Sequence, residues 1–354
     1  KICKYECLVR VQDEEGKILQ PAEFLGLAMK TRLNVFLTRA VIKQAFECFK
    51  HNNYSFSINL SIHDIENINT RNFIFKKLEP HFKDAKPKVA KLKGALLALT
   101  VIAASTLPIF LGLWAAYVFF GVIIYAAFAI ILLKLTICIK LETDWAKAAT
   151  AAIAANDLNE AKKYSHFSRR DSTNLTGSQI SSAVIESMAE NLIDFKISPI
   201  LAYSLFGVSG AIAFKAVNTL DGMVGFKDSE HIHTGWFSAN LDTVVNYVPA
   251  RLTAVLIVIA AAIIGEDYKT AWKIARRDHA KTPSRNHGWP MAAMAGALRV
   301  QLEKPGQYIL GDQIEPLTPD KILKALKLRN GALLLCLLLS LPIILFTRMY
   351  FFPY

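Results

Sequence analysis

Residues 94–139 form an almost uninterrupted apolar run, and this run constrains the fold more than any other stretch. A helix needs about 20 residues to cross a hydrocarbon core. The run therefore predicts two transmembrane helices, with Pro108 and Gly112 as breaks. A basic collar, KPKVAKLKG, precedes it. Residues 331–352 predict a further clear span and residues 249–265 a marginal one. Residues 197–217 are apolar but interrupted by Gly207, Ser209 and Gly210, which leaves halves of about ten residues. A re-entrant hairpin and a crossing are equally compatible with them. The expected fold class is mainly α, a polytopic helical membrane protein.

Composition agrees. Hydrophobic residues make up 53% of the chain, and the mean hydropathy is +0.30. The net charge is +12, from 41 basic and 29 acidic residues. The bases sit largely beside apolar spans, so a lipid bilayer and anionic substrates are the expected partners, and nucleic acid is not. The five cysteines form no CxxC pair, which argues against a disulfide framework or a zinc site. Loop charges put the polar segments 140–196 and 266–330 on the cytoplasmic side of the inner membrane. Segments 197–217 and 249–265 then both cross or both stop short. The second is expected, because crossing would separate polar motifs that flank them.

Residues 1–85 differ in kind and predict a small α/β segment preceding a membrane domain over 86–354. A strand at KYECLVRV, a turn at DEEG, a helix through residues 21–49 and a strand at FSINLSI give a βαβ-like order.

Polar residues then recur at helical spacing. A helix is expected to begin near Thr176–Ser178, where a small hydroxyl suits an N-cap. Ile180, Val184 and Met188 share one stripe; Glu186, Glu190 and Asp194 share another at i, i+4 and i+8, flanked by Ser187 and Asn191. Like charges at that spacing repel, so the column implies a cation, a basic partner or exposure to water. Lys215, Asn218 and Asp221 follow at i, i+3 and i+6, with Gly222 as the expected helix stop. Asp242 and Asn246 follow at i and i+4, then Arg251. Arg285 and His287 precede a turn at Gly288-Trp289-Pro290, LEKPGQYILGD predicts a short hairpin or loop, and Thr318 caps an amphipathic helix. Acids, amides and bases beside membrane-like sequence point to a hydrophilic site. A P-loop, a nucleophile elbow and an HExxH site are all absent.

The motifs DSTNL, ESMAENLIDFKISP, AVNTLDGMVGFK, SANLDTVVNYVPARL and SRNHGWPMAAMAGAL, in this order, resemble the CobD/CbiB family of cobalamin biosynthesis over about residues 88–354. The resemblance implies an adenosylcobinamide-phosphate synthase, which joins adenosylcobyric acid to aminopropanol phosphate with ATP and Mg²⁺. It implies that Glu186, Glu190, Asp221 and Asp242 serve catalysis. Glu190, Asp194 and Asp221 would hold the metal, and Lys215, Arg251 and Arg285 would meet phosphates. Asn191, Asn218, Asn246 and His287 would contact substrate. A homo-oligomer or other cobalamin-pathway proteins are further implied partners. Residues 1–85 resemble the opening of an EAL domain, with Glu6 and Asn59 in the place of metal ligands. The alternatives are an inactive family member serving as a membrane scaffold and a cyclic di-GMP-binding fusion. Mg²⁺–ATP binding separates the synthase from both.

Overall fold

The computed structural model describes residues 87–164, 175–226, 228 and 231–350 and, before them, 4–7, 9–13, 15–21, 23–24, 28, 34–49, 55–58 and 73. Asn59 and residues 171–174 of the DSTNL motif lie outside the described residues. The chain divides into two compact units, Lys1–Ala90 with Asp228–Glu230, and Lys91–Lys227 with His231–Tyr354.

In the first unit β1 (Lys4–Cys7) pairs in parallel with β4 (Ser55–Ile58), in the register Glu6 to Ser57. Between them lies α1 (Asn34–Phe49). Parallel neighbours need a crossover, and this helix supplies it. The turn at DEEG closes a small antiparallel hairpin, β2 (Val11–Gln12) on β3 (Ile18–Leu19). Asp13 Oδ1 fixes that turn by accepting from the backbone N–H groups of Glu15 and Lys17.

The second unit is a helical membrane protein, with four helical stretches long and apolar enough to cross a bilayer among the described residues. Its first helix, α2 (Pro87–Thr136), passes straight through Pro108 and Gly112 and breaks instead at Gly121, where φ is +79°. Across the break the rings of Tyr117 and Tyr125 meet edge to face at 6.0 Å. Eight residues of unbroken helix would separate their backbones by about 12 Å. The two arms therefore turn back on each other. Only glycine adopts this backbone without strain, which is why the break falls at Gly121. Phe119, Phe120 and Ile123 at the tip are 71, 71 and 80% exposed, the face that lipid covers.

Next come α3 (Lys140–Ala154) and the short α4 (Leu158–Lys162), which Asp157 caps. The central helix is α5 (Gly177–Leu192). A capping box starts it: Thr176 Oγ1 accepts from Gln179 N, and Gln179 Oε1 accepts from Thr176 N. Ile180, Val184 and Met188 are buried in the main core as the stripe predicts, together with Ile257, Met291, Met294 and Ile322. After Leu192 the helix widens into one π-helical turn, Ile193–Ile197.

The following helix, α6 (Ser198–Val224), decides between hairpin and crossing. It breaks at Gly207 (φ +71°, ψ −162°). A Cβ on Gly210 would lie 2.7 Å from the carbonyl oxygen of Ala202, and Lys215 Nζ sits 3.8 Å from the ring centroid of Phe195. In a straight helix the second pair would stand about 30 Å apart. Residues 198–224 therefore form a tight helical hairpin whose first arm spans only about 14 Å, half a hydrocarbon core. The helix ends at Val224 with Gly225 as its cap, beyond Gly222. At the tip, Thr347 Oγ1 donates to the freed carbonyl of Ser204 at 2.8 Å, and the Arg348 guanidinium packs against Gly207. Gly207→Ala forces a strained backbone and crowds Arg348. It should destabilise the protein by about 1–3 kcal/mol, read as a lower thermal midpoint in detergent.

The short α7 (His231–Thr234) and α8 (Trp236–Val245) lead into α9 (Tyr247–Ile264), an 18-residue helix long enough to cross. The helices α10 (Tyr268–Asp278) and α11 (Gly288–Leu298) follow. Gly288, Trp289 and Pro290 form the first turn of α11, not a free turn; proline is tolerated there because first-turn N–H groups have no helical partner. The LEKPGQYILGD stretch is an antiparallel hairpin, β5 (Leu302–Lys304) on β6 (Tyr308–Leu310). The amphipathic segment after Thr318 and the last apolar span are one continuous helix, α12 (Pro319–Tyr350).

Candidate functional site

A cavity of about 810 Å³ opens where the π-turn, the second arm of α6, the start of α3, the loop before α11 and the β5–β6 hairpin converge. Its wall contains Glu190, Asn191, Asp194, Lys215, Asn218, Asp221 and His287 from the predicted set. The folded-back hairpin brings this about. It returns Lys215, Asn218 and Asp221, all on one helix face, to the level of Asp194. The π-turn then rotates Asp194 and Phe195 out of regular helical register with Glu190.

The acidic column is not a solvated face. Glu186 is buried, accepting from Ser182 Oγ at 2.6 Å and from Tyr308 Oη at 2.7 Å. It stands behind the cavity, where its bond to Tyr308 anchors the hairpin that closes one side. Asp194 faces the cavity and meets His287 Nε2 at 3.3 Å. The backbone N–H of His287 donates to Ser284 Oγ. Any Cβ on Gly288 would collide with the His279 carbonyl, so a glycine is needed for the chain to turn His287 inward.

Asp242 and Asn246 also lie behind the wall, both buried. The Asn246 amide is fixed at both ends. Its Oδ1 accepts from Ser198 Oγ at 2.6 Å; its Nδ2 donates to Asp242 at 3.1 Å and to Asp194 at 3.4 Å. An amide donor between two carboxylates lets them approach without a metal. Arg251 packs over Tyr247 and Trp289 and donates to Asn286 Oδ1 at 3.3 Å. Asn286 in turn donates to the Thr243 carbonyl. Arg251 thus ties α9 to the His287 loop and does not line the cavity. Arg285 is exposed and does not line it either.

Burial raises the Asp242 carboxyl to about 6, and the neighbouring charges of Asp194 and Asp221 add to the rise. Burial alone would lower His287. The charge of Asp194 and its hydrogen bond, with Glu190 and Asp242 beyond, outweigh it and lift the imidazole to about 10. His287 is therefore a fixed cation at neutral pH. It faces Asp194 as a counter-charge.

Lys304, Gln307 and Tyr308 of the hairpin also line the cavity, although in sequence this segment reads only as a short hairpin or loop, with no sign of a place in the site. A buried network behind α3 is likewise invisible to helical spacing. Glu142 Oε2 pairs with Lys196 Nζ at 2.7 Å and with Arg329 Nη1 at 2.6 Å. Arg329 and Lys196 are among the largest fully buried side chains described. In sequence Arg329 stands in a basic stretch with Lys321, Lys324 and Lys327, and Lys196 follows Glu190 and Asp194, so nothing singled either out.

Among the described residues no group of three or more His, Cys, Asp and Glu side chains forms a ready-made metal cage. The donors present, Glu190, Asp194 and Asp221, suit an ion such as Mg²⁺ that takes one or two carboxylates and completes its shell with phosphate oxygens and water.

The family model described as CobD/Cbib protein matches residues 67–329. The probable cobalamin biosynthesis protein CobD of Methanothermobacter thermautotrophicus is 40% identical over 256 residues, 72% of this chain and 84% of that protein. A protein of the same description from Thermoplasma acidophilum is 34% identical over 241 residues, 68% of this chain and 77% of its own length. The cobalamin biosynthesis protein CobD of Dehalococcoides mccartyi is 42% identical over 179 residues, 51% of this chain and 58% of its own. No solved structure matches. None of these matches lends support to the EAL-like reading of residues 1–85. With three quarters of its length matched, and with the quoted motifs supplying much of the cavity wall, this chain belongs to the CobD/CbiB protein family.

Proposed function

We propose that this chain is an enzyme of cobalamin biosynthesis that forms an amide between adenosylcobyric acid and aminopropanol phosphate at the expense of ATP. The observation that carries the reading is the pairing of an acidic lobe, Glu190, Asp194 and Asp221, with the cations Lys215, His287 and Lys304 around one cavity. A free carboxylic acid does not condense with an amine in water. Transfer of the γ-phosphoryl group of ATP to the carboxylate oxygen gives an acyl phosphate and ADP. The amine nitrogen then forms the new C–N bond as the C–O bond to phosphate breaks. The protein needs only to position charges and exclude water.

In this scheme Lys215 and Lys304 neutralise phosphate oxygens, and His287 donates to them. Glu190, Asp194 and Asp221 would hold Mg²⁺ against the nucleotide, where the ion supplies charge neutralisation of the phosphates. A carboxylate of the acidic lobe takes the proton that the amine releases. The excess of Lys and Arg in the 266–330 loop supports a cytoplasmic location for the cavity, the side on which ATP is found.

Mass spectrometry on detergent-purified protein supplied with Mg²⁺–ATP, adenosylcobyric acid and aminopropanol phosphate tests the reading. An amide product with matching ADP release is expected. Near wild-type product from both Glu190→Gln and Asp221→Asn would show that the chemistry happens elsewhere.

A further inference from the structure

Beside the main cavity, and sharing Glu142, Trp145 and Asn191 with it, lies a small recess of about 20 Å³. It contains two polar atoms that make no hydrogen bond, Glu142 Oε1 and Ser187 Oγ. Both residues are only 7% exposed. A buried donor or acceptor left unpaired is costly, so such atoms mark a place where another group is received. Apart from them and the Asn191 amide, the recess is walled by apolar and aromatic side chains, among them Val184, Met188 and Tyr164.

The two atoms specify what that group must be. The other oxygen of Glu142 is ion-paired with Lys196 and Arg329. Glu142 Oε1 can only accept. The Ser187 hydroxyl has a proton to donate. A guest with one donor and one acceptor close together satisfies both atoms at once. An ammonium offers no acceptor, and the two cations behind Glu142 oppose it. A carboxylate or phosphate offers no donor to Oε1. An adenine edge carries both, but its bicyclic ring needs more room than the recess provides.

We propose that this recess is a subsite for a primary carboxamide, whose N–H donates to Glu142 Oε1 and whose carbonyl accepts from Ser187 Oγ. It would anchor the end of a larger ligand that fills the main cavity. As a means of seating a corrinoid, whose rim carries such carboxamides, it rests on the function proposed above. As a carboxamide subsite it does not.

Propionamide titrated against the full chain in detergent, followed by tryptophan fluorescence, tests it. A saturable change is expected that disappears in Trp145→Phe, the reporter control, and that propionate does not produce. Ser187→Ala should weaken propionamide binding roughly fivefold or more, the loss of one neutral hydrogen bond. Ser187→Thr, which keeps the hydroxyl but fills the recess, should weaken it as well. No Trp145-dependent response, or equal affinity in wild type and both variants, would overturn the proposal and leave the recess as a water site only. If propionamide binds as expected but adenosylcobyric acid fails to displace it, the subsite stands and the corrinoid reading of the main cavity falls.

Discussion

Asp194→Asn should lower amide formation by roughly a hundredfold or more, the scale of removing one preorganised electrostatic contact from a closed site. The substitution keeps the shape of the side chain and changes two things at once. It removes one of the carboxylates facing the cavity. It also removes the charge that outweighs burial and lifts His287 to about 10. These consequences can be read separately. A histidine whose folded value lies above its ordinary 6.5 contributes stability that is complete below about pH 6.5 and is lost as pH rises through about 10. Wild-type thermal stability in detergent should therefore decline across that interval. The decline should flatten in Asp194→Asn, and the His287 ring resonances of labelled protein should titrate at a lower pH. Full activity with an unchanged His287 titration would remove Asp194 from the site.

Arg329→Met should destabilise the protein by about 3–5 kcal/mol, because it leaves buried partners of an ion network unmatched. Arg329 donates from Nη1 to Glu142 and from Nη2 to Thr143 and Asn330. It thereby joins α12 to the start of α3, directly behind the cavity wall. Chemical unfolding in detergent would measure the loss. A buried ion pair is not worth its desolvation merely because it is intact, so the combined variant Glu142→Met, Lys196→Met and Arg329→Met should recover part of the stability lost in the single change. A triple variant no more stable than Arg329→Met would show that the network contributes more than charge balance.

Much of this architecture could be read from residue order alone. The apolar runs announce a membrane protein because a bilayer leaves few other ways to bury them. Thr176 with Gln179 marks the start of the central helix, since a capping box is a local hydrogen-bond pattern. The stripe of Ile180, Val184 and Met188 points to the core for the same local reason, helical periodicity. The parallel pairing of β1 with β4 follows from the strand–helix–strand order of the first unit. The spacing of Lys215, Asn218 and Asp221 puts them on one face, and that face lines the cavity.

Position along the chain could not say which faces meet. Pro108 and Gly112 look like breaks, yet α2 turns at Gly121, because a proline can be carried within a long helix while a backbone with φ of +79° needs glycine. Glu186, Glu190 and Asp194 look like one column. The π-turn and the packing of the β5–β6 hairpin instead send Glu186 into the protein interior and Asp194 into the cavity. Asn246 and Arg251 carry the polarity of substrate-binding groups but are occupied by Ser198, Asp242 and Asn286. Sequence by itself determined the membrane class and the supply of polar residues, consequences of composition and short-range spacing, and its ordered motifs carried the resemblance to the family. The tertiary structure alone decided that the hairpin at Gly207 carries Lys215 and Asp221 back to Asp194, and that Glu142, Lys196 and Arg329 meet. Those contacts join residues far apart in the chain: the folding back of a half-membrane helix brings about the first, and the packing of α12 against α3 the second.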